Sequence, residues 1–251
     1  VAGLAIAERR VNEPEATLIC IHGGLDRGAS FARLARRLET FDLVTYDRRG
    51  YQRSRNLTPL SFEGHVDDLV AITQEEARRG PVLYFGHSYG GVVALAAALA
   101  EPAICQLVTV YEAPLPWILA RRGSRPPLTT DAAHESEVFF QRMVSRGAWE
   151  RLSEVERESR RLDGPGLLSD LTILSQRPPF DITQLTTPCV YLHGDRVLLE
   201  YYRALSRELI RINPVISSRE VRSASHGAHL ASPDQLAALI HDLWEQQCAS
   251  A

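Results

Sequence analysis

Apolar and polar positions follow two periods along this chain. Short, nearly continuous apolar runs recur at Ala16–Ile21, Asp42–Tyr46, Val82–Phe85, Gln106–Tyr111 and Pro188–His193, and Ile216–Val221 reads as a further strand. Runs of this length fit strands buried on both faces. Residues 3–11 fit a first edge strand. Between them lie stretches with apolar residues every three or four positions. Residues 30–39 carry them at 31, 34, 35 and 38, with Ser30 placed as an N-cap. Ser61–Arg79 puts Phe62, Val66, Leu69, Val70 and Thr73 on one face. Ser61 can cap that helix, although Gly64 stands where a capping box has Glu or Gln. Val92–Ala100, Glu200–Ile212 and Pro233–Gln246 complete the helical stretches. Strands alternating with helices predict an α/β protein with a mostly parallel sheet and helices on both faces. The alternation breaks between 114 and 180, where proline and charge rise and the periodicity over 131–146, 148–162 and 166–176 is helical. That stretch predicts a helical lobe inserted over one end of the sheet.

Composition narrows the class. The chain has 251 residues, 45% hydrophobic and 24% charged, with a formal net charge of −3. It is long enough for one sizeable α/β domain with an inserted lobe. It has no lysine, which rules out a lysine nucleophile or Schiff base. The charge gives no basic footprint for nucleic acid and no polybasic membrane patch. Cys20, Cys105 and Cys189 sit in or beside apolar runs, Cys248 lies near the end, and no two have metal-site spacing. Reduced thiols in a cytoplasmic protein are expected, not disulfides or a metal site. The first residues lack a basic region followed by an apolar core, so no signal peptide is expected. Val92–Ala100 is too short to span a bilayer. There is no G-x-G-x-x-G and no P-loop, so no cofactor, no metal, no nucleic-acid partner and no membrane partner are expected.

The most informative stretch is Val82–Gly91, where Gly86-His87-Ser88-Tyr89-Gly90 falls between an apolar run and a helical one. A G-x-S-x-G sequence at such a junction is the nucleophile-elbow pattern. The sharp turn crowds the residues two places either side of the serine, which gives Gly86 and Gly90 a steric reason to lack side chains. It also places the hydroxyl at the positive end of a helix.

Three further segments share its order and spacing: His22-Gly23-Gly24, Asp47-Arg48-Arg49-Gly50, and Ser225-His226-Gly227-Ala228-His229-Leu230-Ala231-Ser232-Pro233. Together the four resemble the α/β-hydrolase superfamily over nearly the whole chain. The resemblance implies the α/β-hydrolase fold, with residues 1–113 and 181–251 as core and 114–180 as a helical lid. It implies Ser88 as nucleophile, His226 as general base and an oxyanion hole from the N–H groups of Gly24 and Tyr89. His229 is the competing base. His22, His193 and Asp47 read as structural. In the superfamily the triad acid commonly stands three residues past the glycine that ends the late strand, and here that place is Val197. The alternative place, the end of the strand after the nucleophile's helix, holds Glu112 in Val110-Tyr111-Glu112-Ala113-Pro114. This is similar to the Tyr-Glu-Pro-Pro segment of bacterial hydrolases that lack the late aspartate. Glu112 is the expected acid and Asp195 the alternative.

The expected function is cofactor-free cleavage of a small ester, thioester or lactone through an acyl-enzyme. The same fold also supports C–C hydrolysis, cyanohydrin cleavage, perhydrolysis and cofactor-free oxygenation. A non-catalytic ligand-binding member would show a broken triad. Trp117, Phe139, Phe140, Met143 and Trp149 fit packing of the inserted lobe against the main domain, and some of them are expected to line an apolar acyl pocket.

Overall fold

The computed structural model describes residues 3–119, 130–176, 178–196 and 198–250. Its strands are β1 (Ile6–Arg9), β2 (Ala16–Ile21), β3 (Phe41–Tyr46), β4 (Val82–His87), β5 (Leu107–Tyr111), β6 (Cys189–Gly194) and β7 (Ile216–Val221). They form one sheet in the order β1-β3-β2-β4-β5-β6-β7. β1 runs antiparallel to β3, and every other pairing is parallel. The helices are α1 (Ala32–Ala35), α2 (Phe62–Glu76), α3 (Tyr89–Ala100), α4 (Ala132–Met143), α5 (Arg146–Arg151), α6 (Glu154–Leu162), α7 (Gly164–Ser175), α8 (Leu199–Ile212), α9 (Ala228–Ala231) and α10 (Pro233–Ser250).

The apolar runs are buried on both faces, as their lack of alternation predicts. In β2, Ile19 and Ile21 join one core with α2, α3 and α8. Leu18 and Cys20 face the other way, into a core with α1 and α10. The strand order turns back at β2, whose neighbours are β3 and β4. The carboxyl ends of β2 and β4 therefore flank the crevice where open α/β sheets bind ligands.

The helix expected over 30–39 is shorter. The Ser30 hydroxyl donates to the Arg27 carbonyl at 2.8 Å instead of capping a helix. A 3₁₀ turn at Gly28–Phe31 precedes α1. The N–H groups of Arg37 and Leu38 also bond three residues back. This tighter coil buries Phe31, Leu34 and Leu38 completely. The helix expected over 148–162 is two, α5 and α6. It restarts at Ser153, which forms a capping box with Glu156. Ser61 does cap α2, accepting from the Gly64 N–H at 3.1 Å.

Helices α4 to α7 lie between β5 and β6 and are pinned to the loop after β3. Asp163 accepts from the Gln52 N–H at 2.9 Å and pairs with Arg55 at 2.7 Å. The Ser169 hydroxyl donates to the Leu60 carbonyl at 2.8 Å. Pro126-Pro127 and Val197 lie outside the described residues.

Candidate active site

The strand–turn–helix junction at β4 and α3 sets the site. Ser88 holds φ +53° and ψ −125°, a strained conformation for a residue with a side chain. The turn leaves no room on either side: a Cβ on Gly90 would lie 2.1 Å from the Ile21 carbonyl oxygen. Tyr89, after the serine, is the first residue of α3, so its N–H lies at the positive end of the helix.

The loop after β2 faces the serine. A Cβ on Gly23 would approach the Ser88 Cβ to 2.9 Å, so glycine is what allows the loop to lie there. His22 Nδ1–H donates to the Gly23 carbonyl at 2.7 Å, and its Nε2 accepts from the Arg48 N–H at 2.8 Å. Burial and the Arg48 charge push the His22 imidazole down to about 4, so it stays neutral. The Arg48 guanidinium also donates to the His22 and Gly23 carbonyls. The Gly23 carbonyl and the Gly24 N–H belong to one peptide plane and point in opposite directions. Holding the carbonyl toward Arg48 therefore turns the Gly24 N–H away from it.

Arg48 is fully buried and pairs with Asp170 of α7 at 2.6 Å. The Tyr51 hydroxyl donates to the same carboxylate at 2.6 Å. Burial alone would raise the Asp170 pKa, but the charge of Arg48 and the contacts with His65 and Arg48 hold it at about 2. Asp47, by contrast, accepts from the Gly28 N–H at 2.9 Å and pairs with Arg53, a turn-closing role.

Glu112 follows β5 directly, at φ +48°, and is fully buried. One carboxylate oxygen accepts from the Gly194 N–H at 3.0 Å, and the other from His226 Nδ1–H at 2.6 Å. That bond fixes the tautomer and leaves His226 Nε2 as a proton acceptor. Burial and the neighbouring His87 lower the His226 pKa while Glu112 raises it, and the net direction is down. Two more bonds hold its loop: the Tyr111 hydroxyl donates to the Ser225 carbonyl at 2.7 Å, and His87 Nε2–H to the His226 carbonyl at 2.8 Å. The His226 and His87 rings pack at 4.8 Å between centroids.

The structure thus brings Ser88, Glu112, His226, Gly24 and Tyr89 to one edge of the sheet. His226 takes Glu112 as its carboxylate partner, and no ion pair joins it to Asp195. The Ser223 backbone N–H holds the Asp195 carboxyl below the usual range. His193 Nδ1–H donates to the Gly194 carbonyl at 3.1 Å. His229 turns to Asp26 and Phe31 rather than to Glu112. Among the inserted helices, Leu167 and Phe139 lie against Gly24 and, with Leu25, Tyr51, Phe140 and Leu171, form a small apolar cluster. Phe140 packs on the buried Trp149, and Trp117 on Phe180. Met143 is half-buried. A hollow of about 160 Å³ lined by Pro188, Cys189 and Val215 lies at the opposite edge of the sheet and has no part in this arrangement.

The sequence reading omits two contributors. Asp170 lies in the inserted lobe, where no motif marks it, and its link to Arg48 spans 122 positions. Asp26 lies between His87 and His229, and only its nearness to His22-Gly23-Gly24 hints at it.

The mostly parallel sheet, flanked by helices, carries a strained serine after one strand, a buried carboxylate bonded to a histidine after the next, and a glycine loop facing the serine. Residues 18–239 match the family described as Alpha/beta hydrolase family, and the chain belongs to it. It is 25% identical over 260 residues to a pimeloyl-[acyl-carrier protein] methyl ester esterase of Serratia marcescens, covering 94% of this chain and 96% of that one. It is 31% identical over 140 residues to the lipase LipV of Mycobacterium tuberculosis, a match spanning only about half of either chain, 53% and 51%. Among solved structures, a thioesterase domain from the curacin biosynthetic pathway superposes with a TM-score of 0.67 at 20% identity, covering 96% of both chains.

Proposed function

We propose that this protein is a serine hydrolase that cleaves a small ester, thioester or lactone through an acyl-enzyme. His226 Nε2 takes the Ser88 proton as Oγ attacks the carbonyl. Glu112 keeps the Nδ1 proton on the imidazole and stabilises the imidazolium that forms. The Gly24 and Tyr89 N–H groups receive the oxyanion. His226 then returns the proton to the leaving alcohol or thiol. In the second half-reaction it activates water, which releases the acid and regenerates Ser88. Leu167 and Phe139, lying over Gly24, form an apolar wall for the acyl group, with the inserted helices acting as a lid.

The observation that carries this reading is the 2.6 Å bond between Glu112 and His226 beside a serine at φ +53°. The esterase and lipase names of the curated relatives support the substrate class. The test is a burst assay with p-nitrophenyl acetate and butyrate. Wild type should release a stoichiometric burst and turn over, while Ser88→Ala loses roughly 10⁴-fold or more in kcat. Equal rates for the two proteins, at any acyl length, overturn the reading.

A further inference from the structure

Three histidine and carboxylate groups beside the triad take no part in the chemistry above. His87 and His229 are buried, at 6% and 2% exposure, and their rings pack at 4.3 Å between centroids. Asp26 Oδ2 lies 3.3 Å from His229 Nε2 and 3.7 Å from His87 Nδ1. One ligand atom from each residue lies within 4.8 Å of the other two. A tetrahedral ion with bonds of about 2.0–2.1 Å sets its ligands roughly 3.3–3.4 Å apart. One pair already stands at that spacing and a second within a few tenths of an ångström.

Hydrogen bonding does not fully satisfy the cluster. Asp26 Oδ2, His87 Nδ1 and both ring nitrogens of His229 are buried, and the Asp26 contacts at 3.3 and 3.7 Å lack hydrogen-bond geometry. A buried polar atom left without a partner costs about 1–3 kcal/mol. The His87 ring is also oriented for a ligand. Its Nε2–H is committed to the His226 carbonyl at 2.8 Å, so Nδ1 bears the lone pair and points into the cluster. A second-shell carbonyl that fixes a tautomer is the usual support for a metal-binding histidine.

We propose that Asp26, His87 and His229 bind one divalent transition-metal ion of the zinc class, with a fourth position for water. The donor set of two imidazoles and one carboxylate suits zinc or cobalt better than calcium or magnesium, which take oxygen ligands. The ion ties together three segments: Asp26 follows the Gly23-Gly24 loop, His87 precedes Ser88, and His229 lies in α9 after His226. It works as a clamp on the loops that carry the site and takes no part in acyl transfer. The inference does not depend on the serine chemistry. Arg160, close enough to feel the Asp26 charge, opposes a cation there. The expected affinity is therefore micromolar rather than that of closed structural sites.

The test uses the chelator-treated 251-residue chain carrying Cys248→Ser, which removes the exposed thiol. Titration with Co²⁺ should give the visible absorption of a four-coordinate ion, saturating at one equivalent. Zn²⁺ should displace it and raise Tm. Asp26→Asn and His229→Gln should each weaken binding on the order of 100-fold and abolish the Tm response. His134→Gln, an exposed histidine on α4, should leave both unchanged. The Co²⁺ spectrum of the unsubstituted cluster needs no variant to fold, so it decides by itself. Absence of stoichiometric uptake overturns the proposal. So does uptake that survives in Asp26→Asn and His229→Gln, or that is lost in His134→Gln.

Discussion

Glu112 does two jobs with one carboxylate, and its length is what lets it do both. One oxygen reaches the Gly194 N–H and the other His226. Glu112→Gln keeps the shape but removes the charge that favours the imidazolium, so kcat should fall roughly 10³–10⁴-fold. Glu112→Asp keeps the charge but withdraws it by one methylene, and a misplacement of about 1 Å should cost roughly 10²-fold. Asp195→Asn should stay within about threefold of wild type, because that carboxyl serves a turn. Steady-state rates on one activated ester check all three. An Asp195→Asn loss larger than that of Glu112→Gln would reverse the roles. At this scale much was legible in the sequence. Ser88 and Glu112 each stand directly after a strand, where the chain must turn at the sheet edge, and His226 stands in the loop that follows β7. Asp26 and His87 were not legible as a pair, since 61 positions separate them and neither lies in a spacing that metal sites use.

The helices show where local pattern fails. Periodicity located α2, α8 and α10 because each buries one face on a continuous sheet. It overran α1, where three-residue turns served Phe31 and Leu34 better than an α-helix. It missed the break before α6, although Ser153-Glu154-Val155-Glu156 spells out the capping box. The largest omission is a contact between elements. Arg48 and Asp170 form a buried pair joining the loop after β3 to α7. Removing one partner of such a pair costs roughly 3–5 kcal/mol. Asp170→Ala should lower the urea midpoint accordingly, and should slow ester turnover by loosening the carbonyls that Arg48 holds. The Asp170 pKa is depressed on folding, to about 2. Its contribution, about 2 kcal/mol, is therefore complete above the unfolded value near 4 and lost as pH falls from there through 2. The stability gap between wild type and Asp170→Asn should narrow over that interval in acid-denaturation curves. A constant gap would mean the charge contributes nothing.

Across the whole molecule, the parallel sheet does the gathering. Residues as distant as 22, 88, 112, 194 and 226 meet because the parallel strands deliver their carboxyl ends to one rim. That rim was predictable from the alternation of runs and helices alone. The contents of the lobe above it were not. Its helices α4 to α7 pack on one another and join the core through the polar anchors Asp163, Ser169 and Asp170 and through apolar contacts of Phe139, Leu167 and Leu174. Such anchors follow no period, and side chains that span more than a hundred positions leave no trace in a local window. Leu167 and Phe139 meet Gly24 for the same untraceable reason.

The four cysteines supply a built-in clock. Cys20, Cys105 and Cys189 are sealed inside the two cores, while Cys248 stands exposed on α10. A thiol-reactive dye added to the native protein should label one site at once. The remaining three should react only as fast as the sheet itself comes apart. The slow phase would then report the opening rate of the core directly, and a dye on Cys248 gives a reporter that leaves the sheet edge bearing Ser88 untouched.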